Sequence, residues 1–290
     1  MDASLDGIEA VPDLMVRAGE LALRWFRADP ARLGELDKGG PGGYDPVTEA
    51  DRAVEGLLRS ELAAMFPDDR IVGEEAGTSG PGTSGRTWLI DPIDGTKAFV
   101  SGVPMWGVLL GLSVDGEPVA GWLRQPYLRE TFGAVGGDGT FEGPGGRVPL
   151  RARRTGALGD AVMYSTHPSM FAADGERAAF ERLAGAVRLQ RFGGDCYSYG
   201  LLALGHIDLV VEASLEPYDV GALIPIVRAA GGVITGPDGS TPSGGGFVIA
   251  AATPSLHAEA MALVAAPDRS PTAGTARILV GGGAARAAIL

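Results

Sequence analysis

The segment that most restricts the fold of this chain is 88–96, Trp-Leu-Ile-Asp-Pro-Ile-Asp-Gly-Thr. Its apolar start predicts a short buried strand. Pro92 predicts that the strand stops near Asp91, because proline cannot donate to a sheet ladder. Asp94 follows three residues after Asp91. Two carboxylates held this close repel each other unless a cation or a proton lies between them.

The residues after this strand predict an anion site beside the acidic pair. The backbone N–H groups of Gly95 and Thr96 could open a short helix and face an anion. An oxygen-only cation site beside a phosphate-sized anion site indicates metal-assisted phosphate chemistry. Asp-Gly is also a common turn pair, so this stretch alone leaves a plain hairpin open.

Composition narrows the class of protein. The 290 residues allow one large domain or two smaller ones. The formal net charge of −12 argues against a nucleic-acid partner, which needs a basic surface. A single cysteine, Cys196, excludes an intrachain disulfide and fits a reducing compartment. The acidic N-terminus lacks the signal-peptide pattern, and no run of 18 apolar residues occurs, so we expect a cytoplasmic protein without a membrane partner.

The pattern changes near residue 150 and predicts two parts and a tail. Residues 1–150 read as N-terminal helices, at 8–28 and after Thr48, followed by an antiparallel sheet that carries the metal site. Residues 151–265 alternate strands and helices, an α/β part that carries substrate residues. Residues 266–290 are a Gly/Ala-rich tail without an assigned role. We also expect a flexible loop at 76–86, a strand at 207–211 that Glu212 ends, and one helix over 220–230.

Further acidic residues lie at predicted element ends. Glu74 follows the strand predicted at 70–73, and Asp219 opens the predicted helix 220–230. Carboxylates from adjacent elements could converge on a hard cation such as Mg²⁺, whose bound water is a natural nucleophile. Each position also has a structural explanation: a solvated Glu74–Glu75 pair, or a helix N-cap at Asp219.

Thr48 and Asp51, three residues apart, resemble a capping box with Asp in place of Glu. Capping is therefore the structural explanation for both residues. Asp45 lies upstream of that cap, so capping does not account for it.

Four motifs in this order resemble the inositol monophosphatase superfamily: 45–51 (Asp-Pro-Val-Thr-Glu-Ala-Asp), 73–75 (Gly-Glu-Glu), 91–96 (Asp-Pro-Ile-Asp-Gly-Thr), and Asp219 before 229–232 (Ala-Ala-Gly-Gly). The resemblance covers roughly residues 8–260. It implies an α+β fold, a layered αβαβα sandwich. It also implies a lithium-sensitive phosphomonoesterase that uses two or three Mg²⁺ ions and forms a homodimer.

The resemblance also implies site roles. The implied metal ligands are Glu74, Asp91, Asp94, Asp219 and the carbonyl of Ile93. The implied catalytic residues are Glu74, Thr96 and Asp45, with the Thr96 hydroxyl linked to Asp45 and orienting the attacking water. The Gly95 and Thr96 backbone N–H groups would receive the phosphate. The role of Lys38, next to the glycine-rich insertion 39–43, stays open.

Details of three segments resemble the histidinol-phosphatase branch: 94–107, 193–197 and 216–226. An acidic Asp195 suits a cationic substrate amine, although it could also cap a helix that starts at Cys196. Cys196 fits a pocket or core position better than a nucleophile. The implied substrate-binding residues are Asp94, Gly95, Thr96, Gly194, Asp195, Cys196 and Glu212. The substrate would be L-histidinol phosphate, with inositol 1-phosphate or a related amino- or cyclitol-phosphate as the alternative.

Two other classes of protein remain in competition at this point. Aspartyl-phosphate phosphatases carry Asp-x-Asp-Gly-Thr at a strand end, whereas two residues, Pro92 and Ile93, separate the carboxylates here. That spacing favours attack by a metal-activated water over a nucleophilic aspartate. The second alternative is a non-catalytic metal-binding protein on the same fold.

Overall fold

A computed structural model of the protein describes residues 5–29, 33–39 and 46–266. Its helices are α1 (Val11–Leu23), α2 (Glu49–Met65), α3 (Thr96–Val100), α4 (Asp174–Ala186), α5 (Asp195–Ala203), α6 (Pro217–Val220), α7 (Leu223–Ala229) and α8 (Pro254–Val264). Its strands are β1 (Leu36–Asp37), β2 (Pro46–Val47), β3 (Arg70–Gly73), β4 (Gly77–Ser79), β5 (Arg86–Asp94), β6 (Gly107–Val114), β7 (Glu117–Gln125), β8 (Glu130–Val135), β9 (Asp138–Gly143), β10 (Gly146–Pro149), β11 (Val162–Ser165), β12 (Leu189–Phe192), β13 (Leu209–Leu215), β14 (Val233–Thr235) and β15 (Gly246–Ala251).

The start of α2 shows how local chemistry fixes an element. The Thr48 hydroxyl accepts a hydrogen bond from the Ala50 N–H at 3.1 Å, and the Asp51 carboxylate accepts one from the Thr48 N–H at 2.8 Å. These bonds satisfy amides that have no partner within the helix. The predicted capping box is confirmed. The first helix is shorter than predicted: a 3₁₀ turn occupies Ile8–Ala10, and α1 ends at Leu23.

Two sheets organise the described chain. The larger has the order β10-β9-β8-β7-β6-β5-β3-β4, and the smaller has the order β12-β11-β13-β15-β14. The larger sheet is antiparallel except where β3 runs parallel to β5. The predicted hairpin sheet in the first half and the alternating pattern in the second half are therefore confirmed.

Successive strand residues face different layers, because side chains alternate across a strand. In β6, Val108 and Leu110 pack with α1 and α2, whereas Leu109 faces the core between the sheets. In β13, Val210 faces that central core, and Val211 faces the side covered by α4 and α8. The layers are α1/α2, the large sheet, α5/α7, the small sheet and α4/α8, which confirms the αβαβα sandwich.

The strand β5 differs from the prediction. It does not stop near Asp91 but continues to Asp94, with a register shift against β6 between these two residues. Pro92 lies inside this irregular step, where the ladder is interrupted and a missing N–H costs little. The bulge allows both acidic residues to stay on the strand.

Three other expectations are wrong in detail. The segment 76–86 contains β4, which pairs with β3. Glu212 lies inside β13, which extends to Leu215, rather than at a strand end. The predicted helix 220–230 is divided into α6 and α7, which Gly221 and Ala222 separate.

The division of the chain near residue 150 stays a prediction. One buried cluster joins Leu109 and Phe132 of the first part to Leu202 and Val227 of the second. Among the described residues, no helix has both the length and the apolar character needed to cross a bilayer.

Candidate active site

The site lies where the parallel strands β3 and β5 end. Gly73 pairs with Ile90, and the Glu74 N–H donates to the Ile90 carbonyl at 3.2 Å. Because the carboxyl ends of parallel strands meet at one edge of a sheet, Glu74 emerges beside Asp91. Glu74 and Asp91 are distant in the sequence, and the pairing of β3 with β5 brings them together.

Asp219 reaches the same corner through a close approach of backbone to the sheet. A Cβ on Gly111 of β6 would lie 2.7 Å from the Gly221 carbonyl carbon, and one on Gly121 of β7 would overlap the Ala222 carbonyl. These two strand glycines let the chain between α6 and α7 lie directly on the sheet. Asp219 is the third residue of α6, not its N-cap, and its carboxylate accepts from the Glu216 N–H at 2.8 Å.

Three carboxylates converge here. One oxygen each from Asp91, Asp94 and Asp219 lies within 4.8 Å of the other two. Asp91 also accepts from the Ile93 N–H at 3.0 Å, and Asp94 accepts from the Cys196 N–H at 2.8 Å. Each of the three thus binds one backbone amide, which fixes its orientation and leaves oxygen lone pairs for a further partner.

The electrostatics of the corner favour a counter-ion. Burial, and then the charges of Glu74, Asp94 and Asp219, raise the pKa of Asp91 well above its usual value. Burial and the charge of Asp94 raise the pKa of Asp219 in the same way. Burial and the charge of Asp195 raise the pKa of Asp94 to about 7. The cluster therefore gains most from a ligand that neutralises several carboxylates at once.

The donor set fits a hard divalent cation. All three converging groups are carboxylates, the ligand type that Mg²⁺ and Ca²⁺ prefer. Their oxygens lie close enough together to be offered to one ion, so these three residues would hold a hard divalent cation.

Glu74 is not one of the three converging carboxylates, but its charge acts on Asp91 and Asp219. Its carboxylate accepts from the Lys38 ammonium at 2.9 Å, and the neighbouring Glu75 accepts from the same ammonium at 2.6 Å. The Glu74–Glu75 pair is thus partly buried and bridged, not solvated. Burial raises the pKa of Glu74 to about 7, although Lys38 opposes this shift.

The turn at Gly95 and Thr96 begins α3. Gly95 has φ +84°, and a Cβ there would lie 2.9 Å from the Met105 carbonyl oxygen, so glycine is required. The Thr96 hydroxyl donates to the Ile93 carbonyl at 3.0 Å. A carbonyl has a second lone pair, so Ile93 can still serve as a ligand. Asp45, the predicted partner of Thr96, lies outside the described residues.

Asp51 is a candidate that sequence reasoning treated only as a helix cap. It is fully buried, and its Oδ1 has no hydrogen-bond partner among the described residues. Burial and the charge of Glu75 raise its pKa to about 6, and its own charge acts on Asp91 and Glu74. The capping-box pattern did not predict that the Asp51 carboxylate is close enough to act on Asp91 and Glu74, since a capping residue does not have to face a functional site.

Asp195 and Glu212 form the opposite side of the site. A Cβ on Gly95 would lie 3.1 Å from the Asp195 Cγ, so this carboxyl packs against Gly95. Asp195 does not cap α5: Gly194 is the N-cap, and Asp195 itself has φ +42°. Burial and the charge of Glu212 raise the pKa of Asp195 to about 7.

Glu212 is buried in β13 and held by three donors. Its Oε1 accepts from the Thr166 N–H at 3.0 Å and hydroxyl at 2.6 Å, and its Oε2 accepts from the Tyr199 hydroxyl at 3.0 Å. Burial raises its pKa to about 7, and the charge of Asp94 adds to this. Cys196 is buried, and burial raises the pKa of its thiol, consistent with a core position.

The layered αβαβα sandwich agrees with the fold that the sequence motifs imply, and three carboxylates converge at the end of one of its strands. The model of the inositol monophosphatase family matches residues 8–269. The chain therefore belongs to the inositol monophosphatase family, and it is a phosphatase of the phosphoric monoester hydrolase class.

Individual relatives are similar over most of the chain. A histidinol-phosphatase from Mycobacterium tuberculosis is 40% identical over 71% of this chain and 79% of its own length. A bifunctional chloroplastic phosphatase, IMPL2, from Arabidopsis thaliana is 36% identical over 81% of this chain, and the match spans 65% of that longer protein. The solved structure of an inositol monophosphatase from Zymomonas mobilis has a TM-score of 0.77 and 34% identity, covering 91% of this chain and 99% of that one.

Proposed function

We propose that this chain is a Mg²⁺-dependent phosphomonoesterase that converts L-histidinol phosphate and water to L-histidinol and phosphate. The metal ligands would be Asp91, Asp94, Asp219, Glu74 and the carbonyl of Ile93, around two or three ions. The observation that carries the reaction class is the three-carboxylate cluster beside the Gly95 turn, in which Asp91 is buried and the other two acids are partly buried. Bound Mg²⁺ would stabilise charge on the phosphoryl oxygens and lower the pKa of the attacking water.

The chain's own residues have distinct roles in this proposal. The Gly95 and Thr96 N–H groups would hold the phosphate at the start of α3. Glu74, which the strand pairing holds beside Asp91, would assist in activating the attacking water. The Thr96 hydroxyl would orient the water. Asp45 was predicted as its acidic partner. Asp51, whose buried Oδ1 has no hydrogen-bond partner among the described residues, acts through its charge on Asp91 and Glu74.

The substrate assignment rests on Asp195. Its carboxyl is mostly buried against Gly95, so a cationic amine on a phosphate ester held at that turn would be within reach. Its left-handed φ of +42° is costly for a residue other than glycine, and strain of this kind concentrates at functional sites. Glu212 adds a second acid to the same side, and Cys196 donates its backbone N–H to Asp94. The identity to a histidinol-phosphatase supports the same substrate.

The test compares phosphate release from histidinol phosphate and from inositol 1-phosphate, with Mg²⁺, in the wild type and in Asp195→Asn. We expect the wild type to prefer histidinol phosphate. Asp195→Asn should raise KM for that substrate about 10- to 100-fold, because a buried charge partner of the amine is lost. The exposed Asp174 of α4 provides a matched control, since Asp174→Asn should not change KM or kcat for either substrate.

Inositol 1-phosphate is the second candidate, favoured by the similarity to the Zymomonas mobilis inositol monophosphatase over 91% of this chain. Faster turnover of inositol 1-phosphate by the wild type would make the histidinol assignment wrong and leave the reaction class intact. Trapping a phosphorylated Asp91 would instead favour the aspartyl-phosphate mechanism. Mg²⁺ binding without phosphate release from any monoester would favour a non-catalytic protein.

The family resemblance supports three further proposals. We propose that the enzyme is a homodimer, that Li⁺ inhibits it, and that it acts in the cytoplasm. Sedimentation of the full chain tests the first, and activity over a range of Li⁺ concentrations tests the second. Fractionation of the source cells tests the third.

A further inference from the structure

The turn that carries Glu74 is attached to α2 by a buried acid, Glu55. Only 1% of Glu55 is exposed. Its Oε2 accepts from the Glu75 N–H at 2.8 Å, and its Oε1 accepts from the Ala76 N–H at 2.9 Å. One carboxylate therefore binds the two backbone amides that directly follow Glu74.

Arg59, one helical turn after Glu55, completes the attachment. Its Nε donates to Glu55 Oε1 at 2.7 Å, and its Nη1 donates to the Ser79 hydroxyl at 2.7 Å. Its second Nη donates to the Gly77 carbonyl. The guanidinium thus joins the acid on α2 to the β4 strand, and both charged groups are largely buried. Charge-assisted hydrogen bonds of this kind are shorter and stronger than neutral ones.

Gly73 explains why the acid can come so close. A Cβ at this position would lie 2.6 Å from the Glu55 carboxyl carbon. The Gly-Glu-Glu sequence at 73–75 therefore combines a small residue that admits Glu55, the acid that faces the corner, and an acid whose amide Glu55 holds.

We infer that Glu55 is a positioning residue for Glu74, and that the Glu55–Arg59 pair sets the affinity of the corner for its divalent cation. This inference rests on the proposed role of Glu74 as a metal ligand. The Glu74 N–H is bonded to Ile90, and the next two N–H groups are bonded to Glu55. With the backbone held on both sides, the Glu74 side chain loses less conformational freedom when it binds a cation.

The experiment measures Mn²⁺ binding to the full-length chain by isothermal titration calorimetry, with thermal unfolding of each variant measured in EDTA. We expect Glu55→Gln to weaken Mn²⁺ binding about 10- to 100-fold. The amide has one acceptor oxygen where the carboxylate has two, and its NH₂ group faces N–H donors. Glu61→Gln is the matched control, because Glu61 lies on the same helix and pairs with Arg17 at the surface.

Glu55→Gln leaves the Arg59 guanidinium without its carboxylate partner, and a second variant keeps the test valid if that unpaired charge prevents folding. Glu55→Gln combined with Arg59→Met removes that charge, and the same weakening of Mn²⁺ binding is expected. The Mg²⁺ concentration for half-maximal activity should rise in parallel, with a smaller change in KM for the ester.

Glu74→Gln separates failure of this inference from failure of the proposed function. If Glu74→Gln binds Mn²⁺ as tightly as the wild type, the proposed metal role of Glu74 is wrong. If Glu74→Gln binds weakly while both Glu55 variants bind like the wild type, the positioning role is overturned. A lower unfolding temperature with unchanged Mn²⁺ affinity would also overturn it, since Glu55 would then only stabilise the fold.

Discussion

Buried acids lie beside both ends of β5, and the two ends differ in what surrounds the charge. Near its start, Asp69 accepts hydrogen bonds from the Trp88 indole N–H at 2.7 Å and the Ser84 hydroxyl at 2.7 Å, and it pairs with Arg86 at 2.9 Å. Near its end, Asp91 and Asp94 meet Asp219. Among the described residues, these three acids form no ion pair within 4.0 Å.

This difference distinguishes an acid that stabilises the fold, Asp69, from the acids of the candidate active site. Two neutral donors and the guanidinium of Arg86 compensate the charge of Asp69, so this acid is paired within the fold. At the other end, acids stand next to acids, and burial and mutual repulsion raise the pKa values of Asp91 and Asp219. A strand that stabilises the fold at one end thus holds unfavourable charge at the other, which a bound cation would relieve.

The largest expected effect comes from Asp94→Asn. We expect kcat to fall about 1000-fold, which corresponds to about 4 kcal/mol of activation free energy. The same change should raise the thermal unfolding temperature in EDTA at pH 8, because one repelling charge is removed while an oxygen still accepts from Cys196. Steady-state kinetics and calorimetry check both parts. Activity close to wild type would mean that Asp94 is not a metal ligand.

Asp69→Ala should show the opposite behaviour at the other end of β5. Removing one partner of a buried ion pair leaves Arg86 unpaired, and we expect a loss of about 3 kcal/mol in the free energy of unfolding. The folded variant should keep its kcat, because Asp69 contacts the end of β5 that is remote from Asp91 and Asp94. Urea unfolding and kinetics below the transition measure these quantities. A stability equal to wild type would contradict the structural role of Asp69.

The corner should also make stability depend on pH. Glu74 and Asp94 have pKa values of about 7 in the folded chain, above their usual values of 4.5 and 3.8. Between about pH 4 and 7 the folded state therefore binds more protons than the unfolded state, and stability falls as pH rises. Each of these two groups contributes a loss of about 2 to 3 kcal/mol, so in EDTA we expect stability to fall by roughly 5 kcal/mol between pH 5 and 8.

Mg²⁺ should reduce that loss, because a cation favours the ionised carboxylates. Thermal unfolding at four pH values, with EDTA or with Mg²⁺, makes the comparison, and Asp94→Asn should flatten the EDTA profile. Equal profiles in EDTA and in Mg²⁺ would show that no cation binds these acids.

The smallest expected effect is at Ser84, which donates one of the hydrogen bonds to Asp69. Ser84→Ala should cost about 1 kcal/mol, since Trp88 and Arg86 still hold the carboxylate. Urea unfolding measures it, and kcat should not change. A loss larger than that of Asp69→Ala would show that the Asp69 cluster does not act through its charge.

Sequence reasoning recovered the elements that local patterns specify. The Thr48 capping box, the antiparallel sheet of the first part and the alternating strands and helices of the second part lie where periodicity and turn residues place them. It failed where tertiary contacts override a local rule. Pro92 should end a strand, but a bulge accommodates it. The alternative that Asp195 caps a helix does not hold, because Asp195 adopts a left-handed φ against Gly95. No sequence pattern predicted that Lys38 forms ion pairs with both Glu74 and Glu75.

By itself, the sequence determined that acids stand at element ends, in the order and spacing of a phosphatase family. The tertiary structure decided which acids meet. The parallel pairing of β3 with β5 delivers Glu74, and the glycines of β6 and β7 admit the chain that delivers Asp219. The physical reason is range: caps and turns depend on neighbours a few residues away, whereas charge repulsion in a buried corner depends on distances that only packing fixes.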